Sequence, residues 1–330
     1  MKKSLIVFLA LAFIFSTVGC GGNGQVEQDP LDKVTVLLDW TPNTNHTGVY
    51  AAQALGYYAE EGLEIEIIQS GAGSPAQLVA SGQGDIAFSY QEEVTVARTT
   101  GLPIKGIAAV IQHNTSGFAA PVSKNIKSPR DFEGKKYGGW GSPAEEAMIK
   151  ALMNQTKADF SKVEMVNIGS ADFFTSVQRD VDFAMIFWGW AGIESELRNI
   201  PLDYLSIRDY SDALDFYSPV LVASETTISE RSEMLTHFMR ATSRGYDYCI
   251  NNPQEAGEIL LSAVPELNRD LVLHSQAYLA EEYQSDAERW GLMSGERWQR
   301  YADWMYSQGL IEKQLEFGQA FTNEFLPEAI

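Results

Sequence analysis

The chain has 330 residues, of which 45% are hydrophobic and 21% charged, with a formal net charge of -20 at pH 7. That is an ordinary globular composition, long enough for two hydrophobic cores rather than one. So large a negative charge argues against nucleic acid and anionic membrane surfaces as partners, since both would repel it at long range, and favours a neutral or cationic one.

Residues 1–19 have the layout of an export signal: Lys2 and Lys3, an apolar run from Leu5 to Phe15 too short to be a permanent membrane span, then Ser16-Thr17-Val18-Gly19. Small residues directly before Cys20 resemble a lipobox, the bacterial signal for lipid attachment to the cysteine sulfur, with Thr17 in place of the usual Leu. The expectation is a signal peptide over 1–19, a lipid-anchored flexible tether over 20–32, and a location on the extracytoplasmic face of a bacterial cell membrane. Cys20 and Cys249 are the two cysteines, so lipid on Cys20 leaves Cys249 without a disulfide partner. Cys249 shares a helical stripe with Leu235, Phe238, Thr242 and Tyr246, the pattern of a small buried apolar residue.

From Lys33 to Ile111 strand and helix patterns alternate. A strand over Val34–Leu38 breaks at Pro42 into a loop of Asn, Thr and His, which re-enters a helix over 47–61. A strand from Leu63 to Ile68 follows, then a short helix to Ser81 capped by Ser74-Pro75, a strand over 85–89 and a helix over 92–100. Such alternation predicts right-handed crossovers and a mostly parallel sheet. The chain leaves this unit near Ala119. Beyond it come a strand over 136–140, a helix from Gly141-Ser142-Pro143-Ala144 through Leu152, and an apolar strand Phe183–Trp188 leading to a helix over 193–197. A strand over 219–222 returns, and 229–326 reads as almost wholly helical. Two crossings, near Ala119 and Val220, predict a hinge. The expected organisation is lobe I over 33–118, lobe II over 119–219, and 220–330 completing lobe I. The fold class is α/β: two lobes, each a mixed and mostly parallel sheet flanked by helices, around a hinged cleft.

Several chemistries find no support in the residues. Gly71-Ala72-Gly73-Ser74-Pro75-Ala76 matches a dinucleotide fingerprint, but the helix it opens ends by Gly82 and Pro75 stands where the loop would hug a pyrophosphate. His46, His113, His237 and His274 have no metal-ligand spacing, and neither HExxH, CxxC nor G-x-S-x-G occurs. No metal, cofactor or catalytic residue is therefore expected. What the strand ends do offer is aromatic faces beside carboxylates and amides. After the first strand stand Trp40, Asn43 and His46, with an Asx-rich turn over a core Trp as the alternative. Tyr90, Glu92 and Glu93 follow another strand, the two carboxylates also suiting a helix N-terminus. The second half supplies Trp140, Trp188, Trp190 and Glu194; alternation would put one of Trp188 and Trp190 in the core and the other outward. These groups suit a flat, nitrogen-rich, neutral or weakly basic ring, and the candidate loops hold no Arg or Lys to grip an anion.

The run Leu38-Asp39-Trp40-Thr41-Pro42-Asn43-Thr44-Asn45-His46-Thr47-Gly48, with Leu55-Gly56-Tyr57-Tyr58 and Gly62-Leu63-Glu64-Ile65, closely resembles solute-binding lipoproteins that deliver thiamine pyrimidine precursors to ABC transporters. The resemblance continues through Ser81–Ala87, Ser89–Glu92, Ser128–Lys136 and Trp188–Glu194, and covers roughly the whole mature chain. It implies a periplasmic-binding-protein fold of the second topological type, closing on its ligand by a hinge. It also implies a monomer that captures formylaminopyrimidine or hydroxymethylpyrimidine for thiamine salvage and presents it to a permease and its ATPase. A related branch makes the thiamine pyrimidine from a histidine of its own chain and pyridoxal phosphate, with reactive Lys and His on the segment matching Ser89–Glu93, where this chain has neither. A pyrimidine synthase and an alkanesulfonate-type anion binder are the alternatives.

Overall fold

The computed structural model describes residues 31–71, 73–169 and 171–328; Cys20, the export signal and the tether lie outside them. In chain order the first sheet takes β1 (Asp32–Leu38), β2 (Leu63–Gln69), β3 (Ile86–Ser89) and β4 (Ile104–Ala109). Helices α1 (Thr47–Ala54), α2 (Tyr57–Glu60), α3 (Pro75–Ala80) and α4 (Gln91–Thr99) connect them. The second sheet is built from β5 (Ser116–Pro121), β6 (Lys136–Gly139), β7 (Glu164–Asn167), β8 (Phe183–Phe187) and β9 (Leu202–Ser206), with α5 (Pro143–Gln155), α6 (Phe173–Arg179) and α7 (Ile193–Leu197). The chain then returns to the first sheet as β10 (Val220–Ser224) and ends in α8 (Glu225–Glu230), α9 (Ser232–Asn251), α10 (Pro253–Ala263), α11 (Arg269–Glu282) and α12 (Gly295–Ser307).

The two sheets repeat one plan. Their strand orders are β2-β1-β3-β10-β4 and β7-β6-β8-β5-β9. In each, four strands run in one direction and the remaining one, β10 or β5, runs antiparallel between its neighbours. β1 and β6 therefore hold equivalent places, as do β3 and β8, and the loops that follow them leave the same edge of each sheet. Open α/β sheets bind ligands at that carboxyl edge.

Several expected boundaries move. The helix expected over 47–61 breaks after Ala54, because Gly56 adopts φ +78°, a left-handed conformation that no helix interior accepts. The first crossing lies in 110–115, since Ser116, Gly117 and Phe118 already pair in the second sheet. Edge strands β7 and β9 carry polar or half-exposed residues, so neither shows the apolar run by which inner strands are recognised. The C-terminal region is helical only to Ser307, apart from a short turn at Phe317–Gln319. Nor does it serve one core alone. On α12, Trp298 and Ala302 pack in a cluster under the first sheet, whereas Tyr301 and Met305, one helical turn on, pack with Phe118, Tyr137 and Met148 of the second.

One close approach sets how the C-terminal helices seat. α1 and α9 cross where Gly48 faces Gly245: a Cβ on Gly245 would strike the Gly48 carbonyl oxygen, and one on Gly48 would enter the ring of Tyr246. Cys249 is fully buried in the same core with Leu235, Phe238 and Tyr246.

Candidate functional site

The 39–46 loop is built from beneath. Asn43 caps a single 3-10 turn, Thr44–His46: its side-chain oxygen accepts from Asn45 N–H at 2.9 Å, while its own N–H donates to Nδ1 of His46 at 3.1 Å. With Nδ1 accepting, the ring proton sits on Nε2, which meets Asp39 Oδ1 at 2.8 Å. His46 is wholly buried, edge-on to Phe88 at 4.6 Å between ring centres. It was expected at the ligand; the structure makes it the loop's anchor. Burial would raise the Asp39 carboxyl, but the hydrogen bond from His46, with the Tyr90 hydroxyl, holds it below the usual range. Tyr90 is correspondingly pushed up by burial and by Asp39. With Asp39 and His46 held inside, Trp40 is turned out and stands 57% exposed.

The second sheet repeats this at β6. Trp140, directly after the strand, is 53% exposed. The loop beyond it is tied down by Glu145, whose oxygens accept from the Tyr137 hydroxyl at 2.6 Å and from the N–H groups of Gly141 and Ser142 at 3.0 Å each. A side chain at Gly139 would collide with that carboxylate.

Glu92 and Glu93, adjacent on α4, have different lives. Glu93 turns back into its own lobe and accepts from the hydroxyls of Ser74 and Ser89, the latter at 2.5 Å. Both its oxygens are thereby engaged. Glu92 lies toward the second lobe: burial first, then the charges of Glu145 and Glu93, push it up to about 7, with the Tyr301 hydroxyl working the other way. Asp39 and Glu93 thus act on Tyr90, while Glu145, Glu93 and Tyr301 act on Glu92; the exposed Trp40 directly follows Asp39, and Trp140 stands five residues before Glu145.

The β8 residues join these groups less directly. Residues 188–192 form one π-helical turn, so strand alternation does not govern Trp188 and Trp190, and both are half-buried. Trp188 tilts against Tyr204 at 4.8 Å and lines a crevice of about 250 Å³ with Asn114, Thr115, Arg208 and Tyr278. Trp190 packs on Leu260, Val264 and Val272 of the C-terminal helices, not on the other indoles. The turn is pinned to α11 by Ser275, which donates to the Gly189 carbonyl and meets the Thr44 hydroxyl at 2.6 Å. Glu194 pairs with Arg198 one turn along its own helix. Of the expected residues, then, the structure gathers Trp40, Asn43, Tyr90, Glu92 and Glu93 around the β1 and β3 loops. His46 is structural, and Trp190 and Glu194 are engaged elsewhere.

Sequence reading missed Glu145 and Tyr301. Glu145 had a signal, since Ser142-Pro143-Ala144-Glu145 is a capping box, realised as such here. Tyr301 had none, because only the fold brings α12 to the cleft. Among the described residues no group of three or more His, Cys, Asp or Glu could hold a metal ion, and no helix is long and apolar enough to cross a membrane.

Comparison with known proteins gives a family and a fold. Residues 43–256 match the model described as NMT1/THI5 like. The chain is 29% identical to the formylaminopyrimidine-binding protein of Halalkalibacterium halodurans over 98% of this chain and 99% of that one. It is 27% identical to the 4-amino-5-hydroxymethyl-2-methylpyrimidine phosphate synthase of Legionella pneumophila over 90% of this chain and 93% of that one. Among solved structures it resembles the alkanesulfonate-binding protein SsuA of Xanthomonas axonopodis pv. citri bound to MOPS, with TM-score 0.68, 13% identity, and 89% and 99% of the two chains covered. That likeness, with the two repeated sheets, shows the two-lobed periplasmic-binding-protein fold.

Proposed function

Since the chain belongs to the NMT1/THI5-like family, we propose that it is a solute-binding receptor that captures an aminopyrimidine of the thiamine-precursor kind between its lobes and passes it, unaltered, to an ABC permease. The observation that carries this reading is the pair Trp40 and Trp140. Large indoles left more than half exposed, each just after the equivalent strand of its own sheet, offer two faces to a planar ring. Beside them the donors and acceptors are Tyr90, Glu92 and Glu145, which suit a ring bearing amino groups and repel a carboxylate, sulfonate or phosphate. Glu92 then accepts from the ring's polar edge, whereas Glu93 and Asp39 position the groups that touch it.

Catalysis is not part of this reading. Ser89–Glu93 offers neither Lys nor His, and His46, the histidine nearest that segment in the site, is locked in the interior by two hydrogen bonds. Export and lipid attachment at Cys20 belong to the same proposal, because a receptor that feeds a permease has to stay near the outer membrane face of that permease. Calorimetric titration with formylaminopyrimidine, hydroxymethylpyrimidine, thiamine and taurine tests the ligand class. Binding of a pyrimidine and silence with taurine is the expected result; taurine binding alone refutes it. Incubation with pyridoxal phosphate and iron followed by mass spectrometry tests the unaltered handover, since loss of ring atoms from a histidine of the chain would make it an enzyme. Metabolic labelling with palmitate, lost in Cys20→Ala, tests the anchor.

A further inference from the structure

A buried hydroxyl relay joins the two lobes through three residues far apart in sequence. Thr44 lies in the turn that follows β1, and Gly189 in the π-helical turn that follows β8. Ser275 stands between them on α11, whose Leu279 and Tyr283 pack in the core of the first sheet. Its hydroxyl meets the Thr44 hydroxyl at 2.6 Å and donates to the Gly189 carbonyl. A serine hydroxyl carries one proton. With that proton given to Gly189, the Thr44 hydroxyl has to be the donor of the other bond, so the relay runs from Thr44 to Ser275 to Gly189. Thr44 and Ser275 are 1% and 0% exposed, so neither hydroxyl can exchange its partner for water while the relay stands. The Thr44 turn is fixed to the same side as Ser275: the Tyr283 hydroxyl donates to the Thr44 carbonyl at 2.6 Å and the Tyr246 hydroxyl to the Asn45 carbonyl at 2.7 Å. Gly189 belongs to the other side, since β8 pairs with β5 and β6 in the second sheet. Its turn nevertheless rests on the first lobe. A Cβ on Gly189 would come within 2.8 Å of Leu279, so the backbone lies directly against α11, and Trp190 packs on Leu260, Val264 and Val272.

We propose that Ser275 is a positioning residue for ligand capture: it latches the loop that bears Trp40 and Asn43 to the turn that bears Trp188 when the lobes come together, and lets go of Gly189 when they part. Ser275 itself touches no ligand. Its bond to Gly189 belongs to the joined arrangement alone, so it favours that arrangement whatever the ligand contacts add. A ligand held between the lobes is then retained in part by a bond it does not make. The π-helical turn suits such a role, because this rare widening of a helix recurs where function requires it. Two buried hydroxyls in apolar surroundings also fix the register of the contact, which aliphatic side chains of similar size would leave free to slide. The effect on affinity rests on the ligand reading above; the latch itself does not.

Hydrogen–deuterium exchange of the ligand-free protein, read by mass spectrometry, tests the latch without a ligand. Ser275→Ala is expected to speed exchange of the 188–194 amides several-fold. Gly189→Ala, whose methyl meets Leu279 and lifts the same turn from α11, should do likewise from the other side. Exchange that rises only within α11, or nowhere, overturns the proposal, because the serine would then serve its own helix. Calorimetric titration with formylaminopyrimidine tests the consequence for binding. Ser275→Ala should weaken binding about fivefold, the net effect of one hydrogen bond, and adding Thr44→Val should weaken it no further, since the relay is already broken. Unchanged affinity in Ser275→Ala, or losses from the two single variants that add in the double one, overturns the latch. Failure of formylaminopyrimidine to bind the wild type, with exchange still faster at 188–194 in Ser275→Ala, overturns the ligand reading and supports the latch.

Discussion

Replacing His46 by Leu removes two hydrogen bonds from beneath the Trp40 loop while roughly conserving side-chain volume. The bond to the Asp39 carboxylate at 2.8 Å is charge-assisted and buried, so its loss costs about 1.5–3 kcal/mol. The bond from Asn43 N–H at 3.1 Å is neutral and adds about 1 kcal/mol. Asp39 is then left with Tyr90 as its side-chain donor, and the expected loss of stability at pH 7 is on the order of 3 kcal/mol. Urea denaturation followed by far-UV circular dichroism measures it. A pH signature separates the Asp39 contact from mere loss of packing. The folded Asp39 carboxyl is held below its ordinary value of 3.8, so the stability it contributes is present above that value and disappears as pH falls through the folded one. The gap between wild type and variant should therefore hold from pH 7 to about pH 4 and narrow as pH falls further. A loss under about 1 kcal/mol, or a gap that does not narrow, would refute the assignment of His46 as the anchor of the loop.

Trp40→Ala should leave folding stability within about 0.5 kcal/mol, because the indole is 57% exposed, yet weaken formylaminopyrimidine binding by roughly 10- to 100-fold. Unchanged affinity by calorimetry removes Trp40 from the site. Gly245→Ala forces a methyl against the Gly48 carbonyl, a backbone atom that cannot swing away, and should cost about 2–3 kcal/mol in a urea titration; a cost below about 1 kcal/mol means that the helices can slide apart. His113 ties the first crossing to the second and to the C-terminal region, with Asp215 at 2.6 Å and Asp286 at 2.9 Å. Its hydrogen bond to Asp215 raises its pKa above 6.5 despite burial, so this stabilisation is fully present below pH 6.5 and fades as pH rises through the folded value. The melting-temperature gap between wild type and His113→Gln should accordingly be largest near pH 6 and shrink toward pH 9; a constant gap would mean that the imidazole charge plays no part.

How legible the site was depended on how local its causes are. Ser74 caps its helix as read, and Ser142 caps the helix read from the same tetrapeptide, each with proline at the first helical position, because a cap needs only the next three residues. The inner strands stood out by their apolar runs, whereas β7 and β9, polar edges, did not. His46 misled because an imidazole among Asn and Thr looks the same in sequence whether it faces a ligand or a buried aspartate seven residues back. Glu92 and Glu93 could not be told apart by pattern either: two serines engage Glu93, and burial, with the charges of Glu145 and Glu93, raises Glu92.

The residues alone determined the alternation of strands and helices, the aromatic and acidic groups at the strand ends, and the family resemblance, since all of these rest on neighbours within a few positions along the chain. Only the tertiary structure decided which side chains meet. It placed α12 under both sheets, buried His46 and turned Trp40 and Trp140 outward. The reason is physical: burial and the field of a charge depend on distance in space, and no local pattern records what lies 50 or 200 residues away.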